Sequence, residues 1–265
     1  INSLIPEKTS KVPMERILGG YPSSEGEHPF MAAVFIHKKY SCAGALITDR
    51  HILTAGHCFK SSTGFTIRKI HVQVALGIIQ LQTTAEELVL RRINNIYVHP
   101  LLTYDGSNEI ILPINDLAIL QLVSNVTFSP NIMPVKLPVE GQIYINYTAV
   151  LAGWGATRET SRQPNDMLLY TTLKIIDYKT CLQTPLRYHF SKKLTLNTVL
   201  CAFGGKNDGC RGDSGAPLIV RRGMYVIEVV GIMSWGVGCG NRRYPAVYTN
   251  TTYFLEWIHN VTLTT

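Results

Sequence analysis

Gly212-Asp213-Ser214-Gly215-Ala216-Pro217 sets a serine between two glycines, directly ahead of the apolar run Ala216 to Val220. A serine hydroxyl is a weak nucleophile at neutral pH and needs a base beside it. Two other stretches supply the parts. Thr54-Ala55-Gly56-His57-Cys58 places a histidine after an apolar strand, and Asn115-Asp116-Leu117-Ala118-Ile119-Leu120 places an acid at the head of another. His57 can take the Ser214 proton and return it to a leaving amine, while Asp116 fixes the imidazole tautomer and stabilises the imidazolium. Taken singly, these are a core or surface histidine, a strand-capping aspartate and a turn serine. Taken together in the order His, Asp, Ser, they point to acyl transfer through a serine nucleophile.

The three motifs in that order resemble the trypsin and chymotrypsin family of serine proteases, and the resemblance runs from Ile17 to about Ile258. It implies an all-β fold of two six-stranded antiparallel barrels with the active site between them and a C-terminal helix. Barrel one would span about 17–135 and barrel two about 136–265. His57, Asp116 and Ser214 would be catalytic, with the backbone N–H groups of Gly212 and Ser214 facing the oxyanion. The six cysteines allow several pairings; the resemblance selects Cys42 with Cys58, Cys181 with Cys201, and Cys210 with Cys239. Two departures are small ones: Gly56 stands where the family usually has Ala, and Ala216 where it usually has Gly. A positive φ at Ala216 would be strained.

Asp208, six residues before Ser214, matches the floor of the family's primary pocket, where an acid selects Arg or Lys. Gly209 removes bulk beside it. Ser234-Trp235-Gly236 resembles the strand that pairs with the substrate backbone, and Ala246 stands on a wall where the family has Gly. A methyl there would crowd the wider guanidinium more than an ammonium and shift preference towards Lys, unless Gly209 restores the room. Arg211, beside the oxyanion glycine, favours acidic residues near the cleavage site. The loop between His99-Pro100 and Asp116 is about six residues longer than in trypsin and carries Ile110, Ile111, Leu112, Pro113 and Ile114, either as a lid that makes the enzyme selective or folded onto its own barrel.

Arg16-Ile17-Leu18-Gly19-Gly20 resembles the family's activation junction. Cutting after Arg16 would free the Ile17 ammonium to pair with Asp213, so the chain reads as a zymogen, with residues 1–16 as pro-segment and 17–265 as peptidase domain. The activator would be a trypsin-like protease or the chain itself. The alternative is a secreted serine-protease homologue that acts as a binding or regulatory protein, which would need a dead triad or a blocked pocket.

Composition agrees with a secreted globular enzyme. Of 265 residues 46% are hydrophobic and only 16% charged, which excludes disorder. The richest apolar stretch, Ile110 to Val123, is broken by Pro113, Asn115 and Asp116, so no membrane span is expected. The charge of +7 is scattered in doublets such as Arg91-Arg92 and Arg242-Arg243, without the aromatic interleaving of nucleic-acid platforms, and no nucleic-acid partner is expected. Ile1 to Arg16 lacks the pattern of a signal peptide, so a leader is expected either to have been removed already or not to exist. An even cysteine count and four Asn-x-Thr sequons, at Asn125, Asn146, Asn250 and Asn260, point to a secreted glycoprotein. Its partners would be protein substrates and protein inhibitors, and it would act as a monomer. No Cys-x-x-Cys occurs, and after Leu76-Gly77 an isoleucine, Ile78, stands where a first calcium ligand would be, leaving only Glu86 and Glu87 downstream; no metal and no cofactor are expected. Short apolar runs punctuated by Gly and Pro read as strands closed into barrels. One helix is expected, at the end, where Phe254, Trp257, Ile258 and Val261 recur at helical spacing behind Thr251 and Thr252 as cap candidates.

Overall fold

The structure, a computed structural model, describes residues 20–82, 90–106, 111–190, 197–205, 209–223, 226–241 and 243–265. After a short edge strand, β1 (Tyr21–Pro22), the first half of the chain forms β2 (Met31–Ile36), β3 (Lys39–Leu46), β4 (His51–Thr54), β5 (Val72–Leu76), β6 (Leu90–Val98), a hairpin of β7 (Thr103–Asp105) with β8 (Leu112–Ile114), and β9 (Ala118–Leu122). The second half forms β10 (Thr148–Gly153), β11 (Leu169–Ile176), helix α1 (Tyr178–Gln183), β12 (Val199–Phe203), β13 (Pro217–Arg222), β14 (Val226–Trp235), β15 (Ala246–Asn250) and helix α2 (Leu255–Thr264). Strands β2-β3-β4-β9-β6-β5 close into one antiparallel barrel. In the other half, β11-β10-β13-β14-β15-β12 close through a β11–β12 pairing, with β1 attached to the outside of β11.

Strands β2 and β9 lack a polar face because each has two interiors to serve. Along β9 the side chains of Ala118, Leu120 and Leu122 fill barrel one, while Leu117 and Ile119 point the other way, into a core shared with barrel two. The same alternation holds in β2, where Ala32 and Val34 face the barrel and Met31, Ala33 and Phe35 the shared core. Side chains of successive strand residues project to opposite faces, so a strand buried on both sides reads as a continuous apolar run.

Helix α2 lies where the periodicity places it, with Leu255 and Ile258 buried, but Thr251 and Thr252 do not cap it. The hydroxyl of Thr251 donates instead to the Val229 carbonyl and is fully buried, so that residue ties the chain to β14 before the helix begins. Helix α1 was not expected. Its signal is Asp177, whose carboxylate accepts from both the backbone N–H and the hydroxyl of Thr180 at the first turn.

The long segment before Asp116 folds inward. Leu112 and Ile114 are buried in a cluster with Cys181, Leu186, Val199, Cys201, Trp235 and Val247, all of barrel two, while Ile111 stands exposed. Ile110 lies outside the described residues. At the other side of the hairpin the Tyr104 hydroxyl donates to the Lys60 carbonyl. Truncating Ile114 to alanine should therefore destabilise the protein by about 2–4 kcal/mol, and truncating Ile111 by less than about 0.5 kcal/mol. Denaturant midpoints of the two variants check this.

Candidate active site

His57 sits in a single 3-10 turn, Gly56–Cys58, that follows β4. The Cys42–Cys58 disulfide ties this turn to β3. Gly56 is buried, and a Cβ there would lie 2.9 Å from the Leu117 carbonyl oxygen, so this departure from the family's alanine fits tight packing against the loop that carries Asp116. Asp116 follows Asn115, which has a φ of 55° and bends the chain just before β9.

The Asp116 carboxylate is 1% exposed. Its Oδ1 accepts from the His57 backbone N–H at 2.7 Å, and its Oδ2 accepts from His57 Nδ1 at 2.7 Å and from the Ser234 hydroxyl at 2.5 Å. The Thr249 hydroxyl donates to the Asp116 carbonyl at 2.8 Å. Burial alone would raise the Asp116 pKa, but the charge and hydrogen bonds of His57 and the Ser234 donor outweigh it and hold the carboxyl below its ordinary value. For His57 burial acts downward, and the Asp116 charge and hydrogen bond more than offset it, so the imidazole pKa lies above the ordinary 6.5. An ionised carboxylate can only accept, so Nδ1 carries the proton and Nε2 keeps its lone pair for another partner.

Ser234 reaches Asp116 because β14 shifts register against β15 between Met233 and Trp235. Such an irregularity re-aims one side chain. The motif Ser234-Trp235-Gly236 suggests a substrate strand, and nothing local to Ser234 announces this bond.

Ser214 is half-buried at the mouth of a cavity of about 300 Å³. Its carbonyl accepts from Ala43 N–H at 2.8 Å, and no hydrogen bond among the described residues joins its hydroxyl to His57. Free enzymes often hold this contact loosely and tighten it when substrate binds. Gly215 has a φ of 81°, and a Cβ there would meet the Ala43 carbonyl and the Thr54 hydroxyl at 2.3 Å, so only glycine lets the serine turn lie this close to β3 and β4. Ala216 is buried with an ordinary negative φ, and the strain considered for it is absent. The Gly212 carbonyl accepts from the Tyr40 hydroxyl at 2.8 Å. The N–H groups of Gly212 and Ser214 donate to no group among the described residues.

The cavity beside Ser214 is lined by Gly209, Met233, Gly236 and Gly238, with Arg211 and Glu159 also on its wall and the Cys210–Cys239 disulfide across it. Asp208 lies outside the described residues. Ala246 is fully buried, paired with Ala202 in β12, and is not among the lining residues. Trp235 packs its ring on Phe190. Met233 and Glu159 were not singled out from sequence; Met233 could have been, because it immediately precedes Ser234-Trp235-Gly236.

Asp213, next to the serine, is fully buried. Its two oxygens accept from the N–H groups of Gly155 and Cys210, each at 2.8 Å, and no cation faces it among the described residues. Burial pushes its carboxyl up to about 6. Ile17 and Arg16 lie outside the described residues, as do Glu86 and Glu87. The sulfurs of Cys42 and Cys58 approach a His57 ring nitrogen, but they are bonded to each other, which removes the thiolates a metal would need.

The family model for trypsin matches residues 17–258. The chain belongs to the trypsin family. It is similar to trypsin epsilon of Drosophila erecta, with 31% identity over 247 residues, 92% of this chain and 86% of that protein. It is thus a serine endopeptidase that hydrolyses protein substrates, built on the fold of two closed antiparallel barrels and a C-terminal helix expected from its sequence. The three disulfides pair as the resemblance implies. No helix among the described residues is long and apolar enough to cross a membrane.

If His57 is the base, the acidic limb of kcat/KM should have its midpoint above 6.5, since the enzyme is active only with Nε2 unprotonated. Asp116→Asn removes the carboxylate that raises this value and favours the wrong tautomer. It should lower kcat/KM by about a hundredfold or more at neutral pH, and a pH–rate profile of both proteins checks the shift.

Proposed function

We propose that this trypsin-family protease is a secreted endopeptidase, made as a zymogen, that cuts after Lys or Arg with His57, Asp116 and Ser214 as its catalytic residues. The observation that carries the reading is the His57–Asp116–Ser234 hydrogen-bonded group standing beside a serine at the mouth of a cavity. Ser214 Oγ attacks the scissile carbonyl as its proton passes to His57 Nε2. The oxyanion that forms is met by the N–H groups of Gly212 and Ser214. Collapse breaks the peptide C–N bond, and His57 gives its proton to the departing amine. A water then attacks the acyl-enzyme ester with His57 again as base, releasing the acid and restoring the serine.

Asp208 is proposed as the acid that stands at the floor of this cavity and selects a cationic side chain. A charge-assisted contact stabilises Lys or Arg by about 1.5–3 kcal/mol, and an apolar side chain leaves the carboxylate unpaired. Arg211, exposed at the cavity wall, adds a preference for acidic residues near the cleavage site. Asp208→Ser should remove cleavage of both Lys and Arg peptides without preventing acylation by a small uncharged active-site reagent. Arg cleavage unchanged in that variant would refute the assignment.

Activation is proposed through Asp213. A buried carboxylate without a cation is costly, and the Ile17 ammonium freed by cutting after Arg16 would supply one. The folded-state value of about 6 exceeds the 3.8 of an unfolded aspartate, so the native form takes up the proton first. Stability of the unpaired form therefore falls as pH rises from about 4 through about 6, by roughly 3 kcal/mol in all. Arg16→Gln should stay inactive after exposure to a trypsin-like protease. In that uncleaved protein Tm should be higher near about pH 5 than near about pH 7 by several degrees more than in the same protein carrying Asp213→Asn.

Secretion is supported by three disulfides, which persist in oxidising compartments. Of the sequons, Asn125, Asn146 and Asn260 are exposed and suit glycans. Asn250 is half-buried, with its amide donating to the Asn197 carbonyl, and is the poorest acceptor.

A further inference from the structure

The cavity beside Ser214 has glycine at two places on its wall, Gly209 and Gly236, and one flexible side chain reaches both. A Cβ on Gly209 would lie 3.3 Å from Met233 Cε and 3.6 Å from its sulfur, and a Cβ on Gly236 would lie 3.8 Å from the same methyl. The Met233 methyl thus borders the positions of both missing side chains, closely at Gly209 and in ordinary contact at Gly236. The backbone of Met233 is fixed, its N–H donating to Ala216 and its carbonyl accepting from Gly215 in the serine turn. Only the thioether can move. Its unbranched chain has three rotatable bonds and a polarisable sulfur, so it adapts at low cost.

From this arrangement we infer that Met233 is the residue that sets the width of the primary pocket and, with Gly209, decides between lysine and arginine. The inference rests on the reading of this cavity as the site for the residue before the scissile bond. A lysyl chain is one methylene wide along its length and passes the Met233 methyl. A guanidinium is a flat fork of three nitrogens and passes only when the thioether turns aside. Gly209 is the complement: a methyl added there would press on Met233 Cε at 3.3 Å and on Leu151 Cδ2 at 3.1 Å and close the cavity further.

The test uses cleaved enzyme, counted by active-site titration, with matched peptides ending in Lys or Arg before the scissile bond. The wild type should cut the Lys peptide at least as well as the Arg peptide. Met233→Val withdraws the methyl and should raise the Arg to Lys ratio of kcat/KM by about tenfold, through KM more than kcat. Gly209→Ala should lower both activities, and adding Met233→Val to it should restore them. Competitive inhibition gives a readout without chemistry: Met233→Val should tighten the flat cation benzamidine and leave slender n-butylamine within about twofold. Should Met233→Val give no titratable enzyme, Met233→Leu carries the same expectation. A ratio unmoved in an enzyme that cuts both peptides overturns this inference alone, whereas an enzyme that cuts neither overturns the reading of the pocket and this inference with it.

Discussion

The molecule turns on one carboxylate. Asp116 is buried at the seam of the two barrels, and each barrel donates to its carboxylate: His57 from the first and Ser234 from the second, while Thr249 of the second holds its backbone carbonyl. A buried charge is tolerated only when its lone pairs are met. The seam therefore cannot shift without stranding an anion, and the positions of the histidine and of the strand leading to the cavity are set by the same requirement. Catalytic alignment and barrel docking are one constraint here.

A second buried carboxylate, that of Asp213, shapes the other side of the serine. A Cβ on Gly155 would fall within 2.6 Å of its oxygens, so the absence of a side chain there is what makes a chamber for it. Tyr40 lies against the same region with its hydroxyl on the Gly212 carbonyl, and the nearby Asp213 adds to the burial that raises the phenol pKa. The serine turn is thus held from β3 through Tyr40 and Ala43, and from β14 through Met233. Ser214 comes from one barrel and much of its support from the other.

What could be read in the sequence was whatever is local. His57, Asp116 and Ser214 each sit in a short run whose neighbours announce a turn or a strand head, and the apolar runs announce strands. Contacts made across the fold were hidden. Nothing near Ser234 tells that its hydroxyl meets a carboxylate 118 positions earlier, and nothing near Met233 tells that its methyl lies against the positions of side chains absent at Gly209 and Gly236. Thr251 looked like a helix cap because hydroxyls often cap helices, but a buried β14 carbonyl competed for it and won.

The hairpin β7–β8 has a mechanical meaning. It leaves and re-enters barrel one, yet it anchors Leu112 and Ile114 among Trp235, Cys201 and Val247 of barrel two, while Tyr104 is fastened to the loop at Lys60. That is a brace across the cleft. Two halves joined only by a linker could hinge apart; two halves also pinned by a strut on one flank keep a fixed gap. A polypeptide entering a cleft of fixed gap must adapt itself to that gap, and the work of ordering falls on it instead of on the protein.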